Sequence, residues 1–184
     1  MFQHAIVSPP AKTFTKGLTT ANLGIPDFDL ALFQHELYIK ALQKCGVEVI
    51  QLEADEGYPD STFVEDVALL ADRAAIIANP GAPSRKGEVT PMRNILGHFF
   101  QQFYTITPPG TLDGGDICQA GNHFFIGISE RTNEEGGCQL AEFLTKEGFT
   151  FSFLYSFGKV GINMSFSEEK YSFWLRILIT SFSI

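Results

Sequence analysis

The chain has 184 residues, enough for one domain with a buried core, and 45% hydrophobic with 18% charged residues is the composition of a folded protein. A formal net charge of −8 argues against nonspecific nucleic-acid binding, which needs clustered Lys and Arg, and is compatible with a cationic ligand. Cys45, Cys118 and Cys138 are an odd set without a C-x-x-C pair, which fits neither a disulfide framework nor a zinc site and points to a reducing, cytoplasmic setting.

Residues 1–11 show no basic segment followed by an apolar run, so no secretory signal is expected. Over residues 27–45, Leu30, Phe33, Leu37, Ala41 and Cys45 fall at helical spacing, and Gly46 suits the position after the last turn. Residues 47–52 read as a short buried strand. Residues 67–71 and 74–78 flank Asp72-Arg73 and read as a hairpin, followed by a loop over 79–83. Thr90 as N-cap and Pro91 as first helical residue open a helix expected to run to about Phe103.

The order then recurs. Residues 117–119 and 123–128 flank Ala120-Gly121-Asn122 as a second hairpin, a polar loop covers 129–133, and a helix over 134–146 ends at Gly148. An acid-rich turn, a hairpin, an Arg-bearing loop, a helix and a strand thus appear twice, about 46–50 residues apart, as expected of a stacked or propeller-like repeat. After residue 150 the pattern stops. Residues 151–184 are rich in Phe, Ser and Ile and contain no His or Cys, which fits either a strand with an apolar helix or sequence translated out of frame. The apolar run 173–184 is too short to cross a bilayer and contains Arg176.

Three motifs could carry chemistry. Pro59-Asp60-Ser61-Thr62-Phe63-Val64-Glu65-Asp66 places three carboxylates at the mouth of an apolar strand, where charge is costly unless paired. A guanidinium would pair with them through parallel hydrogen bonds, and Phe63 could stack on its face; a solvated turn is the alternative. Two prolines in Asn79-Pro80-Gly81-Ala82-Pro83-Ser84-Arg85-Lys86 stiffen a loop carrying Arg85, suited to a carboxylate, and Arg131 holds the corresponding place in the next repeat; an exposed basic loop is the alternative. Asp113-Gly114-Gly115-Asp116 reads as a tight turn between two carboxylates and lacks the ligand count of a calcium loop, so no metal or cofactor is expected. His4, His35, His98 and His123 are scattered and read as packing or surface residues, and the three cysteines read as small buried hydrophobes.

Lys16 to Thr19, Gln34 to Tyr38, Leu52 to Asp55, the F-V-E-D run, P-G-A-P-S-R, L-D-G-G-D and residues 127–133, in this order, resemble the dimethylarginine dimethylaminohydrolase family of the guanidino-modifying pentein superfamily. The resemblance covers about residues 1–148. It implies an α/β pentein αβ-propeller of ββαβ-type repeats with about three of five blades present: residues 1–150 as a partial catalytic domain and 151–184 as a divergent tail. It implies hydrolysis of methylated arginine to citrulline and methylamines, a small-molecule substrate, no nucleic-acid or membrane partner, and leaves homo-oligomerisation open. Asp60, Glu65 and Asp66 would hold the guanidinium beside Phe63, Arg85 and Arg131 would clamp the α-carboxylate, and Leu18 would close over the α-amino end. Asp113 would orient the catalytic histidine.

Two departures qualify the resemblance. The family's His-Leu-Lys-like segment is replaced by Phe157-Gly158-Lys159-Val160-Gly161, with Phe157 in the histidine's place, and the nucleophilic cysteine expected near the end of a longer chain has no counterpart. A smaller departure is Ser8, where relatives often carry Arg. The chain is therefore expected to be inactive. An arginine deiminase, an amidinotransferase or a non-catalytic guanidino-amino-acid binding remnant are the alternatives.

Overall fold

The computed structural model describes residues 3–19, 24–155 and the strand 179–180. Three sheets of three strands are present among these residues. In the second, β3 (Ala68–Ala71) pairs antiparallel with β4 (Ala74–Ile77) around Asp72-Arg73 as expected. The helix α2 (Val89–Leu96) then returns the chain to β5 (Gln102–Thr105), parallel to β4. The third repeats this order: β6 (Ile117–Ala120) and β7 (His123–Ile128) form the hairpin, α3 (Glu134–Lys146) crosses over, and β8 (Thr150–Tyr155) lies parallel to β7. The boundary expected at residue 150 thus coincides with the first residue of β8, and the repeat's last strand continues to Tyr155.

The first sheet is a third copy that periodicity did not reveal. β1 (His4–Val7), α1 (Phe28–Lys44) and β2 (Glu48–Gln51) supply the parallel pair and its crossover helix. The antiparallel neighbour of β1 comes from far along the sequence, as β9 (Ile179–Thr180). The central strand of every sheet therefore has one antiparallel and one parallel partner, the blade pattern that the resemblance implies.

Alternation along β4 explains how the blades stack. Ala75 and Ile77 face one core with Ala68 and Leu70 of β3 and Met92 and Leu96 of α2. Ile76 and Ala78 face a second core built with Phe124 and Ile126 of β7 and Leu140 and Leu144 of α3. Successive strand residues point to opposite faces, so a strand buried on both sides reads as a continuous apolar run, as Ala74-Ala75-Ile76-Ile77 does.

Two helices differ from expectation. α2 begins at Val89 because the 3-10 turn Pro83–Glu88 runs straight into it, so Thr90 is not its cap and Pro91 lies inside the first turn, where a missing N–H breaks no bond. It ends at Leu96, which frees Gln102 and Phe103 for β5. α1 has the expected limits: the Asp27 side chain accepts from the Leu30 amide at 3.0 Å, and Gly46 adopts φ +79° after the last turn. Its apolar stripe, however, does not face the core. Ala31, His35 and Leu42 are buried, whereas Leu30, Phe33, Leu37, Ala41 and Cys45 are exposed.

Among the described residues no helix is long and apolar enough to cross a membrane. The two faces of α1 separate in a stability measurement. Leu42→Ala should cost about 2–5 kcal/mol by cavity formation, and Leu30→Ala about 0.5 kcal/mol or less in dilute solution. Urea unfolding monitored by circular dichroism measures both.

Candidate functional site

The site is assembled where the ends of the second and third blades meet. A 3-10 turn, Val64–Asp66, leads into β3 and buries Glu65 and Asp66, and Asp60 is buried just before it. The turn Pro83–Glu88 delivers Arg85 into the same volume. Its guanidinium donates to both oxygens of Glu88 (Nε to Oε1, 3.0 Å; Nη2 to Oε2, 2.7 Å), to Asp66 Oδ2 from Nη1, and to the carbonyls of Asp60 and Phe63, both at 3.0 Å. Burial opposes its charge, yet the carboxylates of Glu88 and Asp66 hold it protonated beyond the ordinary arginine range.

Asp60 also accepts the backbone N–H of Leu18, at 3.0 and 3.2 Å to its two oxygens. The loop carrying Leu18 is thereby anchored to the acidic cluster while the Leu18 side chain stays exposed. Burial raises the pKa of Asp60, opposed by the Leu18 amide and Arg85. Phe63 is half-buried, with its ring 6.5 Å from that of Phe14. The phenol of Tyr38, on α1, is raised by burial and by the nearby charge of Glu65, so the first blade also reaches the cluster.

Asp113 enters from the third blade. Its Oδ1 accepts from the Gly115 amide at 2.9 Å, and its Oδ2 lies 3.1 Å from Nη1 of Arg131. Burial and the neighbouring Asp66 push its pKa up to about 7, against the pull of Arg131 and the Gly115 amide. Asp66 Oδ1 is buried with no donor on it, and a proton on Asp113 lets the two carboxyls share a hydrogen bond. Glycine is required at 114 because a Cβ there would overlap the carbonyl oxygen of Glu65, so the two acidic turns touch backbone to backbone.

Arg131 is held from below. Thr132, fully buried, donates to Asp116 Oδ2 at 2.7 Å and accepts from the Asp113 amide at 3.0 Å; Ser129 also donates to Asp116 Oδ2, at 2.7 Å, and accepts from the Arg131 amide at 2.9 Å. The Arg131 side chain is 45% exposed and keeps access to solvent.

Leu18, Asp60, Phe63, Glu65, Asp66, Arg85, Asp113 and Arg131 therefore converge on one region. Sequence reasoning missed Glu88, Thr132 and the latching role of Asp116; an acid three residues after Arg85 inside a single turn was the available signal for Glu88. Ser8 is buried, and its carbonyl accepts from Thr62 at 2.8 Å. The cysteines are not the buried hydrophobes expected: Cys45 and Cys138 are exposed and Cys118 is half-buried, because the helix faces that carry the first two turn outward. Phe157 and Lys159 lie outside the described residues.

Known proteins resemble this chain in sequence and in fold. The profile of the family described as N,N dimethylarginine dimethylhydrolase, eukaryotic, matches residues 27–159. An N(G),N(G)-dimethylarginine dimethylaminohydrolase of Pseudomonas aeruginosa is 46% identical over 157 residues, covering 83% of this chain and 60% of that protein. A crystal structure of a mutant of the Pseudomonas aeruginosa enzyme complexed with citrulline superposes with a TM-score of 0.84 at 45% identity, covering 87% of this chain and 63% of the other. The N-terminal domain of the cyanobacterial arginine dihydrolase ArgZ, with a TM-score of 0.72 at 15% identity, shares the fold, covering 83% of this chain and 57% of that one. The chain thus spans about three-fifths of the length of the curated relative it matches.

Two outcomes follow from the buried charges. Arg85→Ala should destabilise the fold by about 3–5 kcal/mol because it leaves Asp66 and Glu88 buried without their cation, and Arg85→Lys should recover only part, as a point charge cannot reproduce the fork. Asp113 titrates near 3.8 when unfolded and at about 7 when folded. Between those values the fold keeps a proton that the unfolded chain has released, so stability falls as pH rises through this window. Asp113→Asn should flatten that decline, by about 1–4 kcal/mol in total, in urea titrations across the same pH range. A slope unchanged by the substitution would assign the proton elsewhere.

Proposed function

The chain belongs to the dimethylarginine dimethylaminohydrolase family, and from that premise we propose that its acidic cluster receives the guanidinium of an N-methylated arginine for hydrolysis to citrulline and a methylamine. The observation that carries this reading is a charge imbalance. Asp60, Glu65, Asp66, Glu88 and Asp113 are all buried, and among the described residues Arg85 is the only buried Arg or Lys. Buried carboxylates in such excess call for a further cation, and a planar guanidinium is matched to them by parallel charge-assisted hydrogen bonds.

In this reading Asp60, Glu65 and Asp66 face the guanidinium, Phe63 lies beside it, and Leu18 closes over the α-amino end. Arg131, partly exposed and already beside Asp113, takes the α-carboxylate. Arg85 would have to give up bonds to Glu88, Asp66 or the carbonyls of Asp60 and Phe63 to share that task. Its present partners favour the role of holding the receptor in shape.

The chemistry proposed for the family's site is covalent. A thiolate attacks the guanidinium carbon, an imidazole protonates the departing methylamine, and water then releases citrulline. Asp113 is the carboxylate that would orient the imidazole, and the partners of its side chain among the described residues are Arg131, the Gly115 amide and Asp66. Cys45, at the C-terminal end of α1, and Cys138, on α3, are exposed and Cys118 lies on β6, so none is offered as the nucleophile. This polypeptide is expected to bind and not to turn over. Citrulline formation that alkylation of Cys118 abolishes would overturn that expectation.

Calorimetric titration with dimethylarginine, arginine, citrulline and agmatine tests the reading. Asp66→Asn should weaken dimethylarginine binding by about 2–5 kcal/mol, since a desolvated cation loses its partner. Arg131→Ala should abolish the preference for dimethylarginine over agmatine, which lacks the carboxylate. Equal affinity of the unaltered chain for these two ligands would remove Arg131 from the site. A preference for arginine over dimethylarginine would favour deiminase or amidinotransferase chemistry.

A further inference from the structure

The backbone of Arg131 is seated between two blades. On one side the loop over residues 79–83 crosses from the second blade. A Cβ at Gly81 would stand 2.9 Å from the Arg131 carbonyl oxygen and 3.1 Å from its Cα, so the absent side chain is what lets the two backbones meet. The φ of Gly81 lies outside the left-handed region, so a side chain there would act through this contact and not through backbone strain. The loop is also poorly able to move away. Pro80 and Pro83 stiffen it, the Asn79 side chain donates to the Gly110 carbonyl at 2.6 Å, and the Asn79 carbonyl accepts from the Leu112 amide at 2.9 Å. Thr111, between those two, is tied to the segment just past Arg131: its amide donates to Asn133 Oδ1 at 2.9 Å, and its carbonyl accepts from the Asn133 amide at 3.2 Å.

On the other side is Asp116, whose Oδ2 takes the protons of both Ser129 and Thr132. A hydroxyl has one proton and two lone pairs, so once each proton is committed to that carboxylate oxygen, both hydroxyl oxygens are left to the backbone as acceptors. The Ser129 oxygen accepts from the amides of Arg131 and Thr132 at 2.9 and 3.2 Å, and the Thr132 oxygen accepts from the Asp113 amide at 3.0 Å. One side chain thereby orders the backbone under both members of the Arg131–Asp113 pair, whose charged ends lie 3.1 Å apart. The Arg131 side chain is long and 45% exposed, and its rotamer freedom is costly to lose, so its aim depends on where its backbone is held.

We propose that Gly81 and Asp116 are positioning residues for Arg131, and that together they set how strongly the site discriminates a guanidinium amino acid from the same cation without an α-carboxylate. The proposal rests on the reading of Arg131 as the carboxylate partner. Both residues act on the ligand through Arg131, because Gly81 has no side chain and Asp116 is engaged by two hydroxyls. A forked pair between arginine and carboxylate is directional, so a small displacement of the Arg131 backbone weakens it steeply. The guanidinium end of the ligand is held by a different set of residues and is spared.

Calorimetric titration of the full chain and its variants with dimethylarginine and agmatine, with circular dichroism to confirm folding, tests the proposal through the ratio of the two affinities. Gly81→Ala and Asp116→Ala should each lower the preference for dimethylarginine by about tenfold or more. Agmatine offers Arg131 nothing to hold and should bind as it does to the unaltered chain. Asp116→Asn should restore most of the preference, because one amide oxygen can accept both hydroxyl protons. The two Asp116 variants carry the test whether or not Gly81→Ala folds. Loss of affinity for both ligands in equal proportion would make the two residues structural only and overturn the proposal. So would a ratio that keeps its original value in the variants while Arg131→Ala abolishes it. An Asp116→Asn chain that behaves as Asp116→Ala would overturn the part given to the two hydroxyls. A preference that survives Arg131→Ala, or is absent from the unaltered chain, would overturn the assignment of Arg131 itself and the proposal with it.

Discussion

One buried guanidinium organises the region on which the function of this chain rests. Arg85 is reached by the side chains of Asp66 and Glu88 and by the carbonyls of Asp60 and Phe63, so it ties the turn before β3 to the turn before α2. A buried cation is tolerable only because its partners are carboxylates, and buried carboxylates are tolerable only because it is present. Removing either side leaves the other uncompensated in a poor solvent for charge. The cluster is consequently an arrangement of mutual obligation, and its geometry is fixed before any ligand arrives.

That fixed arrangement still carries an excess of acid. Asp113, brought in by the third blade, stands beside Asp66 and the partly exposed Arg131, and its pKa is raised first by burial and then by Asp66. A cation entering the cluster would relieve the same repulsion that a proton relieves in its absence. The acidic surroundings that raise the pKa of Asp113 are the same ones that the proposed guanidinium would enter.

The blades make this possible by bringing together turns distant in sequence. β4 is apolar on both faces because each faces a core, one with α2 and one with the β7–α3 layer. Stacking the second blade on the third sets the turn at Val64–Asp66 against the turn at Gly114–Asp116, and the missing side chain of Gly114 lets the backbones meet. The latch of Asp116, Thr132 and Ser129 then points Arg131 at the same place. Each site residue sits on a turn or loop end, where rigid strands and helices hold it.

The sequence by itself determined the repeat, the hairpins and α3, since apolar periodicity, turn residues and helix stops are local signals. It also determined which loops carry acid and arginine, because the F-V-E-D, P-G-A-P-S-R and L-D-G-G-D runs are contiguous. It did not reveal the first blade as a copy of the others, since β9 reaches β1 from the opposite end of the chain. It could not tell which face of α1 packs: Leu30, Phe33 and Leu37 form the more apolar row, but the first sheet takes Ala31, His35 and Leu42. Nor could it show that Arg85 is saturated by Glu88 and Asp66, or that burial and the neighbouring Asp66 raise the pKa of Asp113. Those facts depend on distances between separate turns and on the loss of water around them, and both exist only once the blades have stacked.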